Sequence, residues 1–475
     1  MEVFMLELTP LLDKDSKIAL YVQLYQYIKH RIEEGKVPTG TILPSIRYLS
    51  AQLKISKNTV ESAYHQLLAE GYVESKERVG LKVLPLEKPE YTSPIHEDLS
   101  KTKETYNKKQ ETYHYDFKYG DIDIPSFPLL IWKRCLSQAL INEPEQLLNP
   151  GEIKGDIELR RELAHYLFQS RGVSCSADQI VICSGTQHAI SLITQLLSTD
   201  GHSVAMENPS YDGAQSIFKN HGWQINAIEL EDDGINIEQL QEVKAKVAYI
   251  TPSHQFPYGM VLPINKRMLL LEWAIKNQSF IIEDDYDSEF RYQGQPIPSL
   301  KALDTKERVI YLGTFSKCFT PAVRVSYIVL PQNLMDVYQH MYVNYYQSVP
   351  SVIQKGLALF MKEGYFTTHI RKMRKVYENK HKKLVDALNK YMGNNIEIIG
   401  QKAGLHLLVK VKNNRTTKEL VNAAKKVGVK VYDPTLYALN DKTKINSSLI
   451  MMGYGGLSEE KIEKGVHLLH KAWFQ

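Results

Sequence analysis

Apolar positions recur at three- and four-residue intervals in three consecutive segments near the start of the chain, residues 18–37, 43–55 and 56–72. This spacing predicts three amphipathic helices. Residues 73–84 instead form two short runs of strand-forming residues around a turn, which predicts a β-ribbon. Three helices followed by a β-ribbon are typical of a winged helix-turn-helix domain, which we assign to residues 1–85.

Capping residues mark where these helices begin and end. Ser45 and Ser56 are candidate N-caps of the second and third helices, because a serine hydroxyl accepts a hydrogen bond from N–H groups of the first turn. Gly35 and Gly71 predict the ends of the first and third helices. The following residues 86–113 are polar and charged, and we predict a linker there that is partly disordered. An exposed helix over its lysine-rich part is the alternative.

From residue 114 to residue 475, short apolar runs alternate with amphipathic helical stretches. The runs are QIVICSG, SVAMENP, VAYITPS, SFIIEDDYD, VIYLGTFS and VSYIVLP. Such alternation predicts an α/β domain with a mostly parallel sheet, which we place at residues 150–345. A further helix, strands at AGLHLLVKV and SSLIMMGY and a final helix predict a smaller α+β subdomain at residues 375–475.

The composition excludes few classes of protein. A length of 475 residues predicts two or three domains, and the net charge of +4 is too small to demand or exclude a nucleic-acid partner. None of the four cysteines has zinc-ligand spacing, so no metal site is expected. The chain has neither a signal-peptide pattern at its start nor a run of about 18 apolar residues. We therefore expect a cytoplasmic protein without membrane contact.

The predicted third helix begins with hydrogen-bonding side chains, at the point where a helix-turn-helix meets base edges in the major groove. An asparagine there can pair with adenine, and a lysine can reach guanine or phosphate. Residues at the start of the preceding helix are placed to contact phosphate, and basic residues of the β-ribbon, Lys82 among them, add charge. The candidate DNA-binding residues are Ser45, Arg47, Ser56, Lys57, Asn58, Thr59, Lys76 and Arg78.

The segment LPSIRYLSAQLKISKNTVESAYHQLLAEGYVESKERVGLKV resembles the GntR-type winged helix. The motif of that family runs LPS-x-R-x-LA, then S-x-x-TV-x-x-AY-x-x-L-x-x-EGY, then G-x-x-V. The match extends over about half of the predicted N-terminal domain. The resemblance implies that this domain binds double-stranded DNA.

Further along the chain, polar residues follow the predicted strands at their C-terminal ends, where α/β sheets bind ligands. Lys317 follows VIYLGTFS, Asp284 and Tyr286 follow SFII, and Tyr211 follows SVAMENPS. The small residues SGT after QIVIC lead into a helix, which is a natural phosphate site. A lysine, a carboxylate, a phenol, an aromatic ring and phosphate donors are together what pyridoxal 5'-phosphate (PLP) requires of a protein.

In this order the residues resemble those of fold type I PLP enzymes, the aspartate aminotransferase superfamily. The resemblance implies that Lys317 forms the Schiff base with PLP, that Asp284 holds the pyridine nitrogen and that Tyr286 contacts the phenolic oxygen. Tyr211 is then the residue that stacks on the ring. The residues implied at the phosphate are Ser184, Gly185, Thr186, Ser316 and Arg324, the last of which can also contact a ligand beside it.

The whole chain resembles the MocR/GabR family of bacterial transcription regulators, in which a GntR winged helix is joined to an aminotransferase-like domain. TPSHQFP, IIEDDYDSEF and GTFSK are similar to the GabR pattern almost letter for letter. His254 and Gln255, in the first of these stretches, stand near the Asn-Pro-x-Gly position of aminotransferases, although no asparagine is present. The resemblance implies a domain-swapped, head-to-tail homodimer that binds promoter DNA and uses its PLP domain as a sensor rather than an enzyme.

Two positions depart from the GabR-like pattern. That pattern has an arginine in a Gly-Phe-Ala-Arg-Leu stretch, whereas this chain has Gly456 at that position of GYGGL. The pattern has a second arginine two residues after the stacking tyrosine, where this chain has Gly213. Each arginine would give a bound carboxylate a charge-assisted contact of about 1.5–3 kcal/mol. Without them a GABA-like effector is not expected. We therefore expect PLP itself to be the signal, as in PdxR-type regulators of vitamin B6 synthesis.

Three alternatives remain open. The effector of a MocR/GabR-type regulator can be an amino acid, an amine or a dipeptide that forms an external aldimine with PLP. The chain can instead be an active aminotransferase with a fused DNA-binding domain, although transamination needs an oriented substrate and the missing arginines count against it. The third alternative is a DNA-binding structural protein with a relic PLP fold, which predicts that PLP produces no absorbance band.

Overall fold

The structure is a computed structural model. It describes residues 8, 10–16, 18–76, 79–86, 113–142, 144–198, 201–292, 297–440 and 448–475. The chain divides into two compact units, residues 1–110 and 111–475. The candidate DNA-binding residue Arg78 and most of the predicted linker, residues 87–112, lie outside the described residues. No helix in the described part of the chain has both the length and the apolar character of a membrane span.

The first unit contains three helices and an antiparallel β-ribbon. Its elements are helices α1 (Leu20–Glu33), α2 (Ile46–Leu53) and α3 (Lys57–Ala69) and strands β1 (Val73–Lys76) and β2 (Gly80–Val83). Ser45 and Ser56 are N-caps, because their side chains accept hydrogen bonds from the N–H groups of Tyr48 and Thr59. Apolar side chains of all three helices and both strands pack into one core. The predicted winged helix-turn-helix is therefore confirmed.

The second unit is built around a large, mostly parallel sheet. The strands of this unit are β3 (Tyr115–Asp116), β4 (Ile180–Cys183), β5 (Ser203–Asn208), β6 (Gln224–Glu231), β7 (Gly234–Ile235), β8 (Val247–Ile250), β9 (Phe280–Asp285), β10 (Val309–Thr314), β11 (Ser326–Val329), β12 (Ile396–Ile399), β13 (His406–Val411), β14 (Val429–Lys430) and β15 (Leu449–Gly453). The large sheet has the order β4-β11-β10-β9-β8-β5-β6-β7. Neighbours from β10 to β6 run parallel, whereas β11 and β7 are antiparallel to their neighbours. The predicted α/β class is confirmed.

Helices flank this sheet and complete the C-terminal part. They are α4 (Leu129–Asn142), α5 (Pro144–Leu148), α6 (Ile157–Arg171), α7 (Thr186–Leu196), α8 (Asp212–Asn220), α9 (Ile237–Glu242), α10 (Ile264–Lys276), α11 (Leu300–Leu303), α12 (Phe315–Cys318), α13 (Gln332–Met341), α14 (Ser351–Lys362), α15 (Tyr365–Met392), α16 (Thr417–Lys426) and α17 (Glu459–Phe474). Ile180 and Ile182 of β4 pack in one core cluster, and Val181 and Cys183 pack in another. Because strand side chains alternate between faces, both faces of the sheet are buried.

The C-terminal part contains an antiparallel sheet of order β12-β13-β15, against which α15 and α17 contribute apolar side chains. This is the predicted α+β subdomain. Strand β3, at the start of the unit, pairs in parallel with β14, with Tyr115 opposite Val429. The segment that follows β3 therefore starts at the C-terminal subdomain and is positioned to reach the edge of the large sheet.

Candidate functional site

The C-terminal ends of the parallel strands surround a cavity of about 200 Å³ in the second unit. Open α/β sheets bind ligands at this edge. The residues that line the cavity are Tyr119, Gly120, Thr186, Gln187, Tyr211, Thr251, Phe256, Asp284, Tyr286, Thr314, Ser316, Lys317, Pro321 and Arg324. Most of the residues predicted to contact PLP are among them. Those that do not line the cavity are Ser184, Gly185, His254 and Gln255.

Lys317 reaches this cavity from the short helix α12, directly after strand β10. Its Nζ lies 4.0 Å from the ring centroid of Tyr119. Burial lowers the pKa of Lys317 to about 8, although the carboxylates of Asp287 and Asp121 partly oppose that effect. Because a lowered pKa leaves more of the amine uncharged near neutral pH, this lysine is suited to forming a covalent bond with a carbonyl compound.

Asp284, near the end of strand β9, faces the same cavity. Its Oδ2 accepts a hydrogen bond from the Tyr249 hydroxyl, and its Oδ1 has no hydrogen-bond partner among the described residues. Burial raises the pKa of Asp284 to about 7. A buried carboxylate oxygen without a partner is costly, so this oxygen suits a ligand that brings a donor. The protonated nitrogen of a pyridine ring is such a donor.

The neighbouring Asp285 lies on the opposite face of the sheet, as the alternation of strand side chains requires. Its Oδ2 accepts hydrogen bonds from Arg171 Nε at 2.7 Å and from the Tyr311 hydroxyl at 2.6 Å. All three side chains are buried. Of the two adjacent aspartates, only Asp284 is therefore available to a ligand in the cavity.

An anion-binding corner lies at the start of helix α7. Gly185 is the N-cap residue and has a φ of 97°, a conformation that favours glycine. The guanidinium of Arg324 lies directly against Gly185, so that a side chain at position 185 would displace it. Thr186 and Ser316 line the same cavity. A helix N-terminus with a glycine, hydroxyl groups and an arginine is suited to hold a phosphate group.

Tyr211 lines the cavity at the start of helix α8. Its phenol ring folds over Gly213, where a Cβ atom would collide with it. The ring also meets Phe256 edge to face, with centroids 6.3 Å apart. Tyr211 is thus part of an aromatic wall, and its predicted stacking on PLP remains a prediction.

His254 and Gln255 are buried behind the cavity wall and are not placed to contact a ligand in it, contrary to expectation. His254 Nδ1 lies 2.9 Å from Asp287 Oδ2 and 3.0 Å from the Tyr286 hydroxyl oxygen. The same Tyr286 hydroxyl donates to the His254 carbonyl at 2.8 Å. The Gln255 amide donates to two backbone carbonyls at 2.9 and 2.7 Å. His254 Nδ1 and the Gln255 amide are thus engaged in the surrounding structure, and His254 contacts the cavity-lining residue Tyr286.

Sequence reasoning missed Phe256, Tyr119 and Asp287. Phe256 lines the cavity, whereas the two residues before it, His254 and Gln255, were expected to do so. A signal for it existed, because Phe256-Pro257-x-Gly259 repeats the Asn-Pro-x-Gly pattern with phenylalanine in the asparagine position. Tyr119 lies far from the other site residues along the chain and follows a two-residue strand, so no local pattern indicated it.

The candidate DNA-binding residues of the first unit lie at the starts of its second and third helices and on its β-ribbon. The group at the start of α3 consists of Ser56, Lys57, Asn58 and Thr59, of which the first three are exposed. Arg47 is exposed in the first turn of α2, whose cap is Ser45. Lys76 lies on β1, and its Nζ is 3.4 Å from Oε1 of Glu74 on the same strand. These positions leave an asparagine and three cationic or hydroxyl groups at the exposed start of one helix, as major-groove contact requires.

Lys317 after β10, Asp284 on β9 and the anion-binding corner after β4 are together the donor set that PLP requires, and they define an aminotransferase-like site. Comparison with family models agrees. The gntR family of bacterial regulatory proteins matches residues 20–83, and aminotransferase class I and II matches residues 123–466.

Curated relatives share both domains over most of their length. The chain is 39% identical to the uncharacterized HTH-type transcriptional regulator YdeL of Bacillus subtilis, over 98% of this chain and 100% of that protein. It is 30% identical to the probable rhizopine catabolism regulatory protein MocR of Rhizobium meliloti, over 97% of this chain and 95% of that protein. It is 29% identical to the HTH-type pyridoxine biosynthesis transcriptional regulator PdxR of Corynebacterium glutamicum, over 82% of each. The chain belongs to the MocR/GabR family of transcription regulators.

A solved structure agrees with the fold of the second unit. The kynurenine aminotransferase of Pyrococcus horikoshii, in complex with PMP and its substrates and products, superimposes with a TM-score of 0.67 at 26% identity. The match covers 79% of this chain and 93% of that one. The regulator thus carries an aminotransferase fold.

Proposed function

We propose that this regulator binds promoter DNA through its winged helix and senses PLP, and so vitamin B6 status, through Lys317. The observation that carries the proposal is the pairing of Lys317 and Asp284 in one cavity. Lys317 is a buried amine with a lowered pKa, and Asp284 is a buried carboxylate with an unpartnered oxygen. PLP supplies an aldehyde for the first and a protonated ring nitrogen for the second.

The remaining site residues have roles that follow from their positions. Arg324, Ser316 and the N–H groups at the start of α7 hold the phosphate, because they present donors and positive charge at one corner. Tyr286 faces the cavity with its hydroxyl held by His254, and it contacts the phenolic oxygen. Tyr211 packs against one face of the ring.

PLP is proposed as the signal because the described lining residues include no arginine besides Arg324 that could hold an amino acid carboxylate. Gly213 and Gly456 have no room for a side chain, since Tyr211 and Asp121 occupy the space beside them. The similarity to PdxR, which is named for pyridoxine biosynthesis, supports the same signal. We do not assign an enzymatic role, because turnover needs an oriented substrate as well as the cofactor.

The working form is proposed to be a homodimer, in the head-to-tail, domain-swapped arrangement of the family. Val343, Tyr345 and Tyr346 are exposed after helix α13, and such an apolar surface is typical of a contact between chains. Light scattering should then give twice the chain mass of 54.5 kDa. A monomer at micromolar concentration would contradict this part of the proposal.

The experiment that tests the function combines two measurements on one preparation. PLP is titrated into the full-length protein while the visible absorbance of lysine-bound PLP is recorded. The affinity for a duplex that the protein selects from a random-sequence pool is then measured by fluorescence anisotropy with and without PLP. We expect the band and a PLP-dependent change in affinity in the wild type, and neither in Lys317→Ala.

The outcomes separate the candidate functions. A PLP band without any change in DNA affinity would contradict PLP as the signal. Turnover of amino acids with keto acids would instead favour an aminotransferase with a fused DNA-binding domain. Because Lys317→Ala leaves the winged helix unchanged, its DNA affinity without PLP should equal that of the wild type, which is the control for folding.

A further inference from the structure

A short strap, residues 118–121, passes beside Lys317, and its Tyr119 and Gly120 line the cavity. Two backbone hydrogen bonds of Phe117, at 3.0 and 2.8 Å, tie its start to the C-terminal subdomain. Tyr119 places its ring 4.0 Å from Lys317 Nζ. A Cβ at Gly120 would lie 2.6 Å from the same nitrogen, so the strap backbone itself contacts the amine. Any group bound at Lys317 therefore rests against this strap.

Three glycines of the C-terminal subdomain make room for the strap. A Cβ at Gly453 would lie 2.5 Å from the Lys118 carbonyl oxygen, and a Cβ at Gly456 would lie 2.8 Å from Asp121 Cβ. Gly455 approaches the Asp121 carbonyl oxygen even more closely. No side chain at these positions fits with the strap in place. Asp121 occupies the space beside Gly455 and Gly456 instead.

Positive charge is scarce in the cavity. Among its described lining residues only Lys317 and Arg324 are cationic, and Arg324 lies at the anion-binding corner against Gly185. Lys118 lies close by, but it pairs with Asp121 at 3.2 Å. Once PLP engages Lys317 and Arg324, the described lining residues offer no further cation to a carboxylate on a second ligand.

Part of the wall near Lys317 is aromatic. Phe256 lies 5.1 Å from Tyr119 and 6.2 Å from Tyr286, measured between ring centroids. Aromatic faces carry negative partial charge and attract cations rather than anions. A carboxylate among these rings loses its water without gaining a charged partner, which is unfavourable. An alkyl or aromatic amine without a carboxylate meets no such penalty.

We infer that the PLP-loaded cavity accepts primary amines that lack a carboxylate and disfavours amino acids, because its described lining leaves no cation for that carboxylate. The inference rests on the proposed function, because it requires PLP on Lys317. The amine nitrogen forms a bond to the PLP carbon that Lys317 held, the bond from Lys317 Nζ breaks, and Lys317 leaves as an amine with a proton from the incoming group. No oxidant or reductant is needed. This selectivity keeps PLP on Lys317 in the presence of amino acids, as a PLP sensor requires.

Matched ligand pairs test the inference on the full-length, PLP-loaded protein. Tyramine is compared with tyrosine, and cadaverine with lysine, since the members of each pair differ by one carboxylate. The concentration that produces half of the absorbance change should be at least about tenfold lower for the amine than for the amino acid. An equal or reversed order, or no response to either amine, would overturn the inference.

The failure of this inference is distinguishable from the failure of the proposed function. A wild-type protein that shows no PLP band contradicts both. A normal PLP band with PLP-dependent DNA binding, but with amino acids as effective as their matched amines, contradicts only the selectivity.

Discussion

Asp284→Asn is predicted to strengthen the fold of the PLP-free protein and to weaken its affinity for PLP. The asparagine oxygen can still accept the hydrogen bond from the Tyr249 hydroxyl, while the buried charge is removed. Burial raises the pKa of Asp284 from 3.8 to about 7. A difference of that size corresponds to about 4 kcal/mol of destabilisation by the ionised carboxylate.

The pH window follows from the direction of this pKa change. Between pH 4 and pH 7 the folded state keeps the Asp284 proton, whereas the unfolded state releases it. The contribution of this group to stability therefore falls as the pH rises through that range. The stability gain of Asp284→Asn should be absent near pH 4 and reach at most about 4 kcal/mol above pH 7.

When PLP is bound, an ionised Asp284 is favourable rather than costly, because the ring nitrogen of PLP is held best by an ionised partner. Loss of one charge-assisted hydrogen bond costs about 1.5–3 kcal/mol, which raises the dissociation constant for PLP by about 10- to 100-fold. Urea unfolding of the PLP-free proteins at pH 5 and pH 8 measures the first effect. An absorbance titration with PLP measures the second.

Asp285→Asn is the matched control on the next residue. It breaks a buried pair with Arg171, whose Nε donates to Asp285 Oδ2 at 2.7 Å, so it should lower stability by about 3–5 kcal/mol. If Asp284→Asn binds PLP as tightly as the wild type, or if it is less stable than the wild type at pH 8 without PLP, our reasoning from the unpartnered oxygen is wrong.

Three further predictions concern the cofactor lysine, the anion-binding corner and the DNA contact. Because burial lowers the pKa of Lys317 to about 8, the rate of PLP attachment in stopped-flow absorbance should rise up to that pH and then level, and a steep rise above pH 9 would contradict this. Gly185→Ala should displace the Arg324 guanidinium and weaken PLP binding at least about tenfold. Gly222→Ala is its control, since that glycine also has a positive φ but nothing near the added Cβ, and it should leave PLP affinity unchanged. Asn58→Ala should cost about 1–3 kcal/mol of affinity for the selected duplex in fluorescence anisotropy, and unchanged affinity would contradict a base contact by α3.

Several features were predictable because they depend on neighbours along the chain. The N-caps Ser45 and Ser56 follow from local hydrogen bonding, and the structure confirms both. The positions of Lys317 and Asp284 were also predictable, because parallel strands bring their C-terminal ends to one edge and a residue after such a strand must lie there. Strand alternation places Asp284 and Asp285 on opposite faces, but both faces of the strand are buried, so only the position of the cavity shows which of them faces a ligand.

The tertiary structure alone decided which distant residues complete the site. Tyr119, Phe256 and Lys317 meet in one wall although they come from widely separated segments, and no local pattern encodes that meeting. It also decided that His254 stands behind Tyr286, since a buried histidine is positioned by whichever carboxylate packs against it, here Asp287.

Sequence patterns predict the winged helix, the α/β domain, the helix caps and the residue types at the strand ends, because each is a local or periodic property. The room that Gly453, Gly455 and Gly456 leave for the strap depends instead on how distant elements pack. A glycine in the sequence indicates freedom for the backbone, but which part of the chain approaches it depends on contacts between elements more than 300 residues apart, residues 121 and 456 being one such pair. The candidate PLP-binding residues are thus largely predictable from the sequence, whereas the strap contacts that close the cavity beside Lys317 are not.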